Sequence, residues 1–336
     1  MDIKRLLKDL TAATGIGNIK EATEVAAKYL SDFCEVSYTD NLGLIAEIKG
    51  KRDYSILFEA HIDQVGFIVT DVDDKGFLTV ATCGGIDLRA LPSRQVNIHG
   101  SKKVRGVFCS TPPHLSEDDV TFEKISDIKI DSCLGNKACE IISVGDYVTF
   151  ATDICELKGN KVSAKSLDDR AGVAVLIELA SRFKDKQPPV NLIFCLSDME
   201  ELGLRGAKTS AFAAFPNEAI AIDVSFADGP DIKPTECGKM GSGAMIGISP
   251  VLDRDITNKL ISLAADNNIP YQTEVMGKTT GTDADIISIT KSGIRTGLVS
   301  IPLRNMHTDC EIISLSDIKS VCDLLECYAE AVNLND

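Results

Sequence analysis

Histidine is rare in this chain, with only His61, His99, His114 and His307 among 336 residues. Two of the four follow apolar runs and stand in polar company. His61 comes just after ILFEA and is followed by Asp63, and His307 lies in SIPLRNMHTDCE. A single histidine after a strand is more often structural than a ligand. The acids change that reading. Asp168 and Asp169 follow KSL, Glu200 and Glu201 come after the apolar run VNLIFCLS, and Asp223 ends AIAID. With Asp63, these make six carboxylates at the ends of apparent strands, and gathered at one edge they would repel one another without cations. Two divalent ions about 3.5–4 Å apart relieve that repulsion, given a bridging carboxylate, one histidine and one further carboxylate per ion, and an open face. Independent helix caps and surface acids account for Asp168 and Asp169. They do not account for tandem Glu200–Glu201 after a fully apolar strand.

Other chemistries find less support. There is no H-E-x-x-H, which excludes the helix-borne zinc-protease design. Gly241, Gly243 and Gly247 lack the spacing and the strand–helix context of a nucleotide loop. His114 follows the rigid Pro112-Pro113 turn and His99 precedes Gly100 in a hairpin pattern, so both read as structural. A formal charge of −15 argues against nucleic acid or an anionic membrane as partner, because both require a basic face. No run of about 18 apolar residues is present to span a membrane. Ile3, Leu6, Leu7 and Leu10 share one helical face, unlike a signal peptide. Eleven cysteines, an odd number without a C-x-x-C pair, indicate reduced thiols and a cytoplasmic location. Cys195, in a very apolar run, reads as core.

The elements that must position these residues fall into two textures. Helical patterns at the N-terminus and near residues 18–33 lead into the buried run Ile56–Glu59. From about Gly66 to Ala164 short β-like runs follow one another: GFIVTDV, GFLTVAT, QVNIHG, VRGVFCS, YVTFATD and NKVSAKS. The acidic stretch from Ser116 to Asp131 reads as a solvated excursion within them. Alternating helices and buried strands resume after Lys165 and end in a helix carrying Ile318, Val321, Leu324, Leu325 and Tyr328 on one face. The expectation is an α/β fold with a mixed, mainly parallel sheet and helices on both faces. That catalytic domain comprises residues 1–65 and 165–336, interrupted by a small all-β insertion at 66–164. Ligands in such sheets bind at the carboxyl ends of strands.

Read in order, AHIDQVG, SLDDRAG, MEELGLRGA, AIDV, TGTDA and RNMH resemble the TET-type di-metal aminopeptidases, which include glutamyl and deblocking aminopeptidases and some members labelled cellulase or endoglucanase. GGIDLRALPSRQV and GVFCSTPPHL extend the resemblance into the β insertion, so it covers nearly the whole chain. The resemblance implies a zinc-peptidase-like core with a PDZ-like insertion. It implies that His61 and Asp223 bind one metal, Glu201 and His307 bind the other, and Asp168 bridges them. Glu200 would be the general base, and Asp63 would accept a hydrogen bond from the His61 imidazole and fix its tautomer. Two zinc or cobalt ions per subunit are implied, with manganese a third candidate. Short peptides would be the substrates, and dimers would build a homo-oligomer as large as a dodecamer.

Removal of N-acyl groups from amino acids is the competing enzyme reading, since it uses the same metals and base. A non-catalytic oligomeric binding protein would have no need of this residue set. A glycosidase fits less well, with 5% aromatic residues and no Trp for sugar stacking. Thr280–Asp283 and Leu298–Pro302 are the expected pocket walls. The chain departs from the family pattern at Gln64, at Asp198-Met199 and at Thr308-Asp309, none of them a proposed ligand.

Overall fold

The computed structural model describes residues 1–39, 43–115, 124–230 and 232–331. Four strands with long apolar runs, Arg52–His61, Val190–Ser197, Glu218–Phe226 and Arg295–Arg304, lie parallel at the centre of a large sheet. Such runs suit strands covered on both faces. Antiparallel strands flank them: Gly43–Ile48 and Glu35–Thr39 beyond Val190–Ser197, and Glu311–Ser314 beyond Arg295–Arg304.

Side-chain alternation divides each central strand between two layers. Ile56, Phe58, Phe194, Ile222 and Val299 join the large core under helices Ile3–Ala12, Glu21–Leu30, Leu167–Arg182, Arg254–Asp266 and Leu315–Glu330. Leu57, Ile193, Cys195 and Ala219 face the other way, against Ala207 and Ala211 of Arg205–Ala214 and Ile287 of Ala284–Ser288. The fold is therefore mixed α/β with helices on both faces. The terminal helix buries Ile318, Val321, Leu324, Leu325 and Tyr328 as its spacing indicates.

Residues between the Arg52 and Val190 strands form a second sheet closed into a six-stranded barrel: Gly66–Val72, Phe77–Cys83, Gln95–His99, Lys103–Phe108, Ile130–Asp131 and Tyr147–Phe150. Phe67 fills its core, with edge-on contacts to Phe108 at 5.0 Å and Phe150 at 5.7 Å. One run grouped with this module by its β texture, NKVSAKS, pairs elsewhere, together with a short strand just before it. Cys155–Leu157 and Lys161–Ala164 extend the edge of the large sheet, where Lys161–Ala164 pairs with Glu311–Ser314. A period-2 pattern identifies a strand but not the sheet it joins. Of the acidic stretch from Ser116 to Asp131, residues 116–123 lie outside the described residues, while Ile130–Asp131 closes the barrel. No described helix is long and apolar enough to cross a membrane. All eleven cysteines are free, and Cys195 is fully buried.

His99 supports the barrel rather than a site: its Nε2 lies 2.9 Å from Thr149 Oγ1. Burial, assisted by Lys103, pushes its pKa down to about 4. Between pH 4 and 6.5 the unfolded chain therefore binds a proton at this position that the folded chain refuses, so stability contributed here falls as pH drops through that window. In chelated protein, His99→Gln is expected to flatten the loss of urea midpoint between pH 6.5 and 4.5, by about 1 kcal/mol after allowance for solvent screening. Parallel pH slopes for the two proteins would show that His99 does not titrate this way.

Candidate active site

The carboxyl ends of the four parallel strands meet at one edge of the sheet. His61 is the last residue of Arg52–His61, Asp223 lies near the end of Glu218–Phe226, and His307 follows Arg295–Arg304 by three residues. Val190–Ser197 has ended before Glu200 and Glu201, and Met199 takes a left-handed φ of 62° that turns the chain sharply. A continuing strand would send adjacent side chains to opposite faces. The turn at Met199 instead brings both glutamates to the same cavity. Asp168 and Asp169 stand at the start of Leu167–Arg182 with non-helical torsions, and the peptide bond between them is cis. Asp169 Oδ1 caps the regular helix by accepting from the Gly172 amide at 2.9 Å.

Asp168 is the centre of the cluster. Its Oδ1 lies 3.0 Å from His61 Nε2 and its Oδ2 lies 3.2 Å from His307 Nε2, so one carboxylate sits between two imidazoles. Asp223 Oδ1 is 3.9 Å from His61 Nε2, and Glu201 Oε1 is 3.4 Å from His307 Nε2. Ligand atoms of His61, Asp168 and Glu201 all lie within 4.8 Å of one another. Asp63 sits behind them. Its Oδ1 is 3.4 Å from His61 Nδ1, and its two oxygens accept from the amides of Glu200 at 3.1 Å and Glu201 at 3.3 Å.

The electrostatics are those of a site short of positive charge. Burial pushes the Glu200 carboxyl up to about 7 and Glu201 up to about 8, with Asp168 adding to both. Burial likewise raises Asp223 well above the ordinary carboxylate range. Burial is the largest influence on both histidines and opposes protonation, yet Asp168 and the other surrounding carboxylates together outweigh it, and His307 rises to about 9. Burial works against ionisation of Asp168 too, but the two imidazoles hold its pKa below the usual range. Protons on these groups are standing in for cations. Two histidines and three carboxylates form a mixed N/O donor set that suits zinc, cobalt or manganese, so the residues present fit a divalent metal centre.

Comparison with known proteins identifies the scaffold. The chain matches the M42 glutamyl aminopeptidase family over residues 43–324. It belongs to that family. It is 27% identical over 342 residues to the lysyl aminopeptidase of Pyrococcus furiosus, covering 98% of each chain. Its structure is similar to that of a TET aminopeptidase from a marine sediment Thaumarchaeota archaeon, with a TM-score of 0.93 and 29% identity over 99% of this chain and 97% of the other. It is similar as well to the Pyrococcus horikoshii TET1 peptidase, with a TM-score of 0.87 and 32% identity over 98% and 100% of the two chains. This M42 chain is thus a hydrolase of peptide bonds.

Several supports of the M42 site carry no signal in the sequence reading. Glu311, 1% exposed, accepts from the His307 amide at 2.9 Å and the Asp168 amide at 3.1 Å, tying two cluster residues to one side chain. Its place at the head of a short strand looked ordinary. The barrel also reaches the site. A Cβ at Gly84 would lie 3.2 Å from Glu201 Oε2, and one at Gly85 would lie 3.4 Å from His307 Nδ1. Gly84 also holds a φ of +86°, so only glycine gives this approach without strain. Asp309, one of the departures, accepts from Thr152 Oγ1 at 3.1 Å and pairs with Arg94 at 3.4 Å, joining the His307 loop to the barrel. Gln64 is buried and its Oε1 accepts from the Gly15 amide at 3.4 Å. Asp198 Oδ1 accepts from the Met199 amide at 2.8 Å within the turn.

A cavity of about 830 Å³ opens onto the cluster. His61, Asp168, Glu200, Glu201, Asp223 and His307 line one part of it. Of the expected walls, Thr280, Gly281, Thr282, Leu298 and Ser300 line it, whereas Asp283, Val299, Ile301 and Pro302 do not. Asp283 is turned inward instead, where it shares the Ser197 hydroxyl with Glu59 at 2.7 Å each.

Proposed function

We propose that this M42 peptidase is a metal-dependent aminopeptidase that removes N-terminal residues from short peptides. The observation that carries the reading is Asp168 set between His61 and His307, with Asp223 and Glu201 at their outer sides. In this assignment His61 and Asp223 hold one divalent ion, Glu201 and His307 hold a second, and Asp168 bridges them. Zinc or cobalt is the first choice and manganese the second. Cations held there would acidify a water molecule and stabilise the charge that develops on the scissile carbonyl oxygen. Glu200, lining the same cavity, takes the proton of the attacking water and delivers it to the leaving amine. Asp63 positions both partners of that step, because it faces His61 Nδ1 while holding the amides of the Glu200–Glu201 turn.

The catalytic domain in this reading is 1–65 with 165–336. The insertion is 66–164, PDZ-like in its barrel, with residues 155–164 pairing back onto the large sheet. Assembly into a dimer-based oligomer, up to a dodecamer, is supported by likeness to the Pyrococcus horikoshii TET1 peptidase, which can assemble into a tetrahedron or a large octahedral shell. A cytoplasmic location agrees with eleven unpaired thiols. The family carries a glutamyl name and the Pyrococcus furiosus relative a lysyl one.

The test is a panel of aminoacyl-p-nitroanilides and their N-acetylated counterparts, offered to chelated enzyme before and after zinc or cobalt is restored. Metal-dependent release from the free-amine set alone is the expected outcome. Release from the acetylated set alone would make the protein a deacylase.

A further inference from the structure

Glu274, in the strand Tyr271–Val275, lines the cavity onto which the cluster opens. Its Oε1 accepts from the Ser225 hydroxyl, and the Ser300 hydroxyl faces the same carboxylate as a second donor. No described Lys, Arg or His lies within ion-pair distance of Glu274, whereas Glu236 on that cavity is already paired with Lys233 at 2.9 Å. A carboxylate held out of water by hydroxyl donors alone, with no counter-cation, is costly, and a ligand that brings the positive charge offsets that cost.

The placement says what kind of ligand. Ser225 is two residues beyond Asp223 on one strand, so the two side chains share a face about 7 Å apart. A peptide whose first residue has its carbonyl at the cluster would therefore extend that residue's side chain toward Glu274. Met245 and Leu298, almost wholly buried, give the same cavity an apolar wall. An apolar stem with a charged tip matches such a path, as in lysine and, with a planar head, arginine.

We infer that Glu274 closes a subsite for a cationic side chain, so that this peptidase prefers peptides beginning with lysine or arginine. The inference rests on the aminopeptidase reading above. Wild type and Glu274→Gln, both metal-reconstituted, should be compared on lysyl- and norleucyl-p-nitroanilide, which differ only in the terminal charge. In wild type the lysyl substrate should lead in kcat/KM by about 10²-fold, and in the variant the ratio should collapse to within about threefold. A wild-type ratio near one, which needs no variant to fold, would overturn the inference while leaving the aminopeptidase standing. A ratio untouched by the substitution would overturn it as well. Cleavage of neither substrate would overturn the subsite, and the full free-amine panel then decides whether the aminopeptidase reading stands.

Discussion

Glu200→Gln is expected to lower kcat for aminoacyl-p-nitroanilides by about 10²–10⁴-fold, the range for loss of a positioned general base. The substitution keeps the shape of the side chain and removes its ability to take a proton. Bound metal and thermal midpoint should stay near wild type, since Glu200 is not one of the five assigned ligands and its amide contact to Asp63 is unaffected. The pH profile gives the same argument a sign. Burial holds the carboxyl at about 7 in the cation-free cluster, and cations favour the ionised form. The acid limb of kcat/KM should therefore lie below pH 7, with activity falling as Glu200 is protonated. A variant that retains more than a tenth of wild-type kcat would assign the base elsewhere.

Asp168→Asn should have an effect at least as large through a different route. Asp168 is the one carboxylate touched by both imidazoles, and the amide retains its size without its charge. Both proposed ions would lose a shared anionic ligand. Metal affinity is expected to fall by about 10²-fold or more and activity at limiting metal by about 10³-fold, with partial recovery at high metal concentration. The contrast with Glu200→Gln is the useful feature. One variant should bind metal and not turn over, and the other should fail because it binds metal poorly. Full metal content in Asp168→Asn would exclude a bridging role.

Much of the site could be read from residue type at strand ends. His61, Glu200–Glu201, Asp223 and His307 each follow an apolar run, and parallel topology then brings their strand ends together. The role of Asp168 was implied by resemblance, since from spacing alone it passes for a helix cap. What was missed depends on tertiary neighbours that no local pattern records. Glu311 looks like any acid opening a strand until burial places it between two backbone amides. Gly84 and Gly85 look like turn residues, and their closeness to Glu201 and His307 requires the barrel to be docked. The strands Ala244–Ile248 and Tyr271–Val275 are short and were not read as strands, so Glu274 drew no attention. Lys161–Ala164 reads as β in the sequence but falls with the barrel there, because alternation does not name a partner strand.

The central claim is that these five ligands hold metal ions on which peptide hydrolysis depends. Titrating fully chelated protein with zinc or cobalt, while following bound metal per chain and aminoacyl-p-nitroanilide hydrolysis in the same samples, tests it most directly. The expected result is two tightly bound ions per chain in wild type, with hydrolysis rising as they fill and both lost in Asp168→Asn. Undiminished hydrolysis by the metal-free protein, or tight binding that survives loss of Asp168, would contradict the account.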